Sequence, residues 1–100
     1  IDNDCLNSNT IKILSCYPNP FNPSILFKYK IEKRNYVRLD IYNVLGKKVK
    51  SLVEEVQEAG NYYTKWDGNN RFNKPVPSGA YFLRMQSNEH HLIKKVTLIK

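Results

Sequence analysis

The stretch "SILFKYKI" (Ser24–Ile31) decides the fold class. Ile25, Phe27, Tyr29 and Ile31 fall at every second position, and Lys28 and Lys30 stand between them. Side chains of an extended chain point alternately to two faces, so this order sets an apolar face on a core and a basic face in water. The same period recurs downstream. In "YVRLDIYNV" (36–44), Val37, Leu39 and Ile41 alternate with Arg38 and Asp40. In "AYFLRMQ" (80–86), Tyr81, Leu83 and Met85 oppose Phe82, Arg84 and Gln86, and in "KVTLIK" (95–100) Val96 and Leu98 oppose Thr97 and Ile99. This is the pattern of half-buried antiparallel strands.

Turn signals separate these runs: Gly46 in "NVLGKK", Gly60 in "EAGN", Gly68 in "DGNNRFNKP" and Gly79 in "VPSG". The spacing predicts seven strands, over 10–16, 24–31, 36–44, 47–53, 60–66, 79–87 and 90–99. Seven short strands in one hundred residues fit an all-β, immunoglobulin-like antiparallel β-sandwich. "SLVEEVQEAG" (51–60) is the one helix-like stretch, and its apolar residues are too few for a convincing amphipathic helix. Trp66, at a strand end before Asp67 and Gly68, is expected to anchor the core or to cover one edge.

Upstream of the deciding stretch lies "SCYPNPFNPS" (15–24). Pro18, Pro20 and Pro23 fix φ and remove three donors, so no strand runs through them. Tyr17, Asn19 and Asn22 precede prolines and are pushed to extended conformations. The segment therefore reads as a stiff structural corner of Pro18, Pro20, Phe21 and Pro23, where the first strand changes sheets and Phe21 plugs the end of the sandwich.

Length and composition point to one domain with a modest core rich in aromatic residues. Residues 10–100 form that domain, and residues 1–9 are expected to be a linker from an upstream domain. The chain opens on "IDNDC" without Met, which reads as a piece of a longer precursor. The net charge is +7, carried by 12 lysines against 4 arginines scattered over the length. Dispersed lysine describes a solvated face and lacks the bidentate forks of nucleic-acid recognition, so no nucleic-acid partner is expected.

No catalytic or metal constellation emerges, and neither a cofactor nor enzyme activity is expected. His90 and His91 are neighbours on a strand and point to opposite faces. Glu54, Glu55 and Glu58 lie around a turn with nothing apolar to enclose them. Asp67, Asn69, Asn70 and Asn73 supply oxygens near a tight turn, but only one is charged and turn chemistry explains them. Cys5 and Cys16 leave three readings open: a bridge between them, a bond from Cys5 to a missing upstream part, or a buried free Cys16.

The order of the motifs carries a resemblance. "YPNPFNPS" is followed by "LDIYNVLGKKVKSL", "AGNYYTKWDGNN", "PVPSGAYFLRM" and a final "KKVTLIK". This resembles the type A C-terminal sorting domain of the type IX (Por) secretion system of Bacteroidota, over about Ile11–Lys100. It also resembles the immunoglobulin-like domain of flagellar hook-capping proteins, which shares the W-D-G-x-N and G-x-Y signatures. The "KKVTLIK" ending favours the sorting family, many of whose members close on a basic-apolar strand.

The sorting resemblance implies a non-catalytic domain that directs a passenger through the outer-membrane translocon. The passenger would cross the periplasm and arrive at the cell surface or outside the cell. There a surface sortase would act, and the passenger would be released or attached to anionic lipopolysaccharide. Gly79 and Tyr81 match the family's G-x-Y motif, and Lys94, Lys95, Val96, Leu98 and Lys100 match its terminal signal. These are the translocon-recognition residues the resemblance implies. Two departures stand out: "SIL" (24–26) replaces a Thr-rich run, and Cys16 is unusual. The rival is a structural or accessory sandwich: a hook-cap-like module, a filament subunit, or a carbohydrate-binding appendage with Tyr36, Tyr42, Tyr62 and Phe72 along one face.

Overall fold

A computed structural model describes residues 11–87 and 90–99, which hold seven strands and no helix. They are β1 (Ile11–Tyr17), β2 (Ile25–Ile31), β3 (Asn35–Tyr42), β4 (Lys48–Gln57), β5 (Gly60–Trp66), β6 (Gly79–Ser87) and β7 (His90–Leu98). Three form one sheet in the order β1-β2-β5, and four form the other in the order β4-β3-β6-β7. Every ladder is antiparallel. The expected sandwich is the observed one. Its fourth strand lies beside β3, whereas a constant-type immunoglobulin domain pairs the fourth strand within the opposite sheet.

The alternation read from the sequence sets the core. Ile25, Phe27, Tyr29 and Ile31 of β2 face Val37, Leu39 and Ile41 of β3 and Leu83 and Met85 of β6, all buried. Tyr29 keeps its hydroxyl satisfied by donating to Gln57 Oε1 at 2.9 Å. Burial of the ring raises the pKa of that phenol, opposed in part by the Gln57 bond.

Most boundaries fall within one or two residues of those expected, and one differs by four. β4 runs to Gln57, beyond the expected end at residue 53, through the helix-like stretch. The pairing with β3 slips twice, at Val49 between Lys48 and Lys50 and at Leu52 between Ser51 and Val53. Each slip is a β-bulge that adds one residue and reverses the phase of the alternation. Val49, Leu52 and Val53 all pack against the core as a result. With Val56, their spacing of three, one and three imitates a helix face although the backbone is extended. A third bulge, at Leu14 of β1, sets both Ile13 and Cys16 against the core and leaves Leu14 outside.

The proline segment lies across one end of the sandwich, with the Tyr17–Pro18, Asn19–Pro20 and Asn22–Pro23 bonds cis. Phe21 is buried and rests on Trp66, ring centroids 5.4 Å apart, and Trp66 meets the edge of Tyr81 at 5.2 Å. Trp66 is thus the centre of an aromatic trio and donates its indole N–H to Asn69 O at 2.8 Å. The turn after Trp66 abuts the corner so closely that a Cβ on Gly68, whose φ is +79°, would stand 3.0 Å from Pro23 O. Only glycine suits that backbone and that gap.

Candidate functional site

The residues singled out in the sequence do not form one exposed patch. Val96 and Leu98 are core residues, and Tyr81 is buried with its hydroxyl donating to Pro77 O at 2.6 Å. Gly79 begins β6 at φ +149°, a conformation that favours glycine, and a Cβ there would meet open space. Lys94 and Lys95 lie on opposite faces of β7. Lys94 is half-buried on the inner side and acts electrostatically on Cys16, while Lys95 is exposed on the outer side. Lys100 lies outside the described residues, as do Cys5 and the linker expected over residues 1–9.

β7 ends its sheet, so one row of its backbone groups faces away from β6. The proline segment covers the C-terminal part of that row. Asn19 Oδ1 accepts from Thr97 N at 3.0 Å, and Asn19 Nδ2 donates to Lys95 O at 3.3 Å. Phe21 N donates to Thr97 O at 2.8 Å, and Ile99 N donates to Phe21 O at 2.9 Å. The Asn19 side-chain amide thus stands in for a peptide unit of an adjacent strand, and Phe21 makes a parallel bridge to Leu98. Asn19 and the clamp it makes were not legible from the sequence, because an asparagine between prolines signals a turn and not its distant partner.

Two apolar grooves flank the β3–β4 turn, and Asn43 and Val44 line both. The first, about 500 Å³, opens on the outer face of β3, β6 and β7 over Tyr42, Phe82 and Ile93, with Arg84 and His91 beside them. The second, about 390 Å³, runs past Leu45 to Gly79 and Tyr81. The turn between them is tightly held. Leu45 N and Lys47 N donate to Asn43 Oδ1 at 2.9 and 3.0 Å, and Gly46 N donates to Asn43 O at 3.0 Å. Val44 and Leu45 nevertheless project into solvent, 68% and 79% exposed.

The polar clusters have structural employment. Asp40 is buried on the outer face, accepts from Ser51 Oγ at 2.7 Å and pairs with Arg38 at 3.3 Å, which also reaches Glu54. In the 67–73 loop Asp67 Oδ1 accepts from Asn69 N, and Asn70 Oδ1 accepts from Phe72 N and Lys74 N. Those oxygens close the loop's own backbone. Among the described residues no three His, Cys, Asp or Glu side chains gather as a metal site. The four aromatics proposed for sugar binding do not share a face. Tyr62 packs inward and stacks on Tyr29 at 5.5 Å, while Phe72 sits in the 67–73 loop under Arg71. Cys16 carries a free thiol. Burial pushes its pKa up to about 11, with the Lys94 charge pulling the other way.

The sequence model of the secretion system C-terminal sorting domain matches residues 15–100. No curated protein sequence matches the chain significantly. Among solved structures, dimeric latent PorU from Porphyromonas gingivalis aligns with a TM-score of 0.71 at 20% identity, over 89% of this chain and 9% of that one. PorZ, an essential surface component of the type IX secretion system of the same organism, aligns at 0.62 and 16%, over 88% of this chain and 11% of that one. FlgD from Xanthomonas campestris, a hook-capping protein of flagellar assembly, aligns at 0.63 and 17%, over 88% and 67%. The chain therefore spans about a tenth of PorU and PorZ, and at these identities the likeness is one of fold.

Proposed function

Because the chain belongs to the family of secretion system C-terminal sorting domains, we propose that it is the address carried by a type IX passenger, read at the outer-membrane translocon. The sorting role and export to the cell surface or beyond follow from the family. The passage through the periplasm, the surface sortase and attachment to anionic lipopolysaccharide are the finer parts of the proposal. The observation that carries the reading is the family match over residues 15–100. Recognition of this kind asks the domain to present a surface and not to make or break a bond, and we assign no reaction to its residues.

Within the domain we assign recognition to the β6–β7 end. Gly79 and Tyr81 border the 390 Å³ groove. Lys95 offers an exposed charge on the terminal strand. Val96 and Leu98 act through the core they fill, as Phe21 and Pro18, Pro20 and Pro23 act through the corner. The hook-cap alternative shares the fold, but no observation on its surface favours it.

The test fuses residues 1–100 behind a neutral passenger in a host that carries the type IX system. The fusion should reach the cell surface, and the passenger alone should remain inside the outer membrane. Delivery of the bare passenger to the surface at the same level would refute the sorting role. Deleting residues 95–100 is a poor probe of the signal, because it also removes Val96 and Leu98 from the core. Lys94→Ala and Lys95→Ala leave the core filled. Loss of delivery in Lys95→Ala at unchanged melting temperature supports the terminal-strand assignment, and full delivery in both variants removes it.

A further inference from the structure

Resting on the sorting reading, we infer that the translocon partner docks on the rigid β3–β4 turn and the outer-face groove beside it. Its ligand there is a protein segment that presents a carboxylate next to apolar side chains. Two independent observations carry this.

The first concerns the edge of the sheet. Strand addition is the usual way to read a terminal strand at the margin of a sheet. Here the outward backbone groups Lys95 O, Thr97 N, Thr97 O and Ile99 N are already bonded to Asn19 and Phe21. A partner strand cannot pair with them unless the proline corner leaves. The face of the sheet, by contrast, is open.

The second concerns what that face displays. Leu45 and Val44 stand in water on a turn whose backbone is held by four hydrogen bonds, two of them to Asn43 Oδ1. An exposed apolar pair normally costs solubility, and a preorganised one loses little entropy when it is covered. The adjoining groove is floored by Tyr42, Phe82 and Ile93, of which Ile93 is half exposed. Arg84 borders it, opposite Asp40 in the β3–β6 ladder, and its Nε, like that of Arg38, is buried with no hydrogen-bond partner among the described residues. Buried donors are ordinarily satisfied, and a guanidinium matches a carboxylate with two parallel bonds. Among the described residues no acidic side chain lines either groove, and Arg84 brings a permanent positive charge to the first. That charge, on a chain of net charge +7, favours an acidic segment.

The passenger fusion tests this with Leu45→Ser, Arg84→Gln and Arg84→Lys. Leu45 is mostly in solvent, so its replacement leaves the fold intact, which a thermal melt of each purified variant verifies. Surface delivery should fall at least about fivefold in Leu45→Ser and Arg84→Gln, as for anchors at the centre of an interface. Arg84→Lys keeps the charge and should recover part of the delivery. Wild-type delivery of Leu45→Ser and Arg84→Gln overturns the inference. If in that experiment the bare passenger stays inside, the sorting role still stands and only this surface is wrong. Enhanced delivery by Asn19→Ala, which bares the edge of β7, also overturns it, because the reader would then be adding a strand. Light scattering and binding to phosphatidylglycerol vesicles check the other occupants. A dimer, or vesicle binding, that Leu45→Ser abolishes while delivery is unchanged gives the surface to a second copy or to a membrane, against the inference.

Discussion

The proline segment, residues 18–24, and the β3–β4 turn, residues 43–47, are both irregular, and in each one asparagine side chain holds backbone groups. They treat their apolar residues in opposite ways. The first turns Phe21 inward onto Trp66, and its Asn19 reaches across 78 positions to Thr97. The second holds its own local backbone and turns Val44 and Leu45 outward. The same polar device therefore serves two ends. Reaching far, it joins distant parts of the fold. Staying local, it stiffens a surface that covers nothing within the domain.

The contrast can be broken by substitution. Phe21→Ala empties the space beside Trp66 and should cost about 3–5 kcal/mol in urea denaturation, since a buried aromatic carries both transfer and cavity terms. A loss below about 1 kcal/mol would mean that the corner is only draped over the core. Asn19→Ala removes two bonds to β7 and should cost about 1–2 kcal/mol, with amide exchange at Thr97 accelerating ahead of the rest of β7. Asn43→Ala should cost about 0.5–1 kcal/mol, because water reaches the freed Leu45 and Lys47 amides.

Cys16, at the entry to the corner, sharpens the same contrast by pH. Its folded pKa of about 11 lies above that of an exposed thiol. Its contribution to stability is therefore full below the unfolded pKa, near 9, and is lost as pH rises from there towards 11. Iodoacetamide at pH 8 should modify Cys16 of the folded protein, followed by peptide mass analysis apart from Cys5, roughly a hundredfold more slowly than in the urea-unfolded chain, and equal rates at Cys16 would contradict the burial. Leu45→Ser should shift stability by less than about 0.5 kcal/mol, the smallest effect of the series, as expected where a side chain touches little.

How far the sequence reveals this follows from the range of each interaction. The strands β2, β3 and β6 are legible because alternation is local and unbroken from Ile25 to Ile31, Val37 to Ile41 and Tyr81 to Met85. β4 is legible only as far as residue 53, because bulges at Val49 and Leu52 reverse the phase and imitate helical spacing through its second half. Phe21 is foreseeable as a plug, since an aromatic between prolines has little use in water. The Asn19 bonds to Lys95 and Thr97 are not, because nothing near residue 19 states which edge passes beside it. Placing Lys94 and Lys95 on opposite faces required only the period of two. That period also shows that the terminal motif splits between core and surface, so it cannot meet a partner as one row of side chains. The Asn43 turn had a local signal, an asparagine two residues before Leu45, and Arg84 had none, because its missing acceptor is a property of three dimensions.

The clamp also has a consequence for the order in which the fold is made. Asn19 and Phe21 meet residues that are nearly the whole chain away. Contacts of such separation are slow to form, because the entropy of closing the long loop is lost before the contact returns anything. The aromatic trio of Phe21, Trp66 and Tyr81 is covered only once the strand bearing Val96 and Leu98 has come home against the corner. The clamp is thus among the last parts of the domain to take shape. A chain still emerging, or one cut short before residue 96, would lack it altogether.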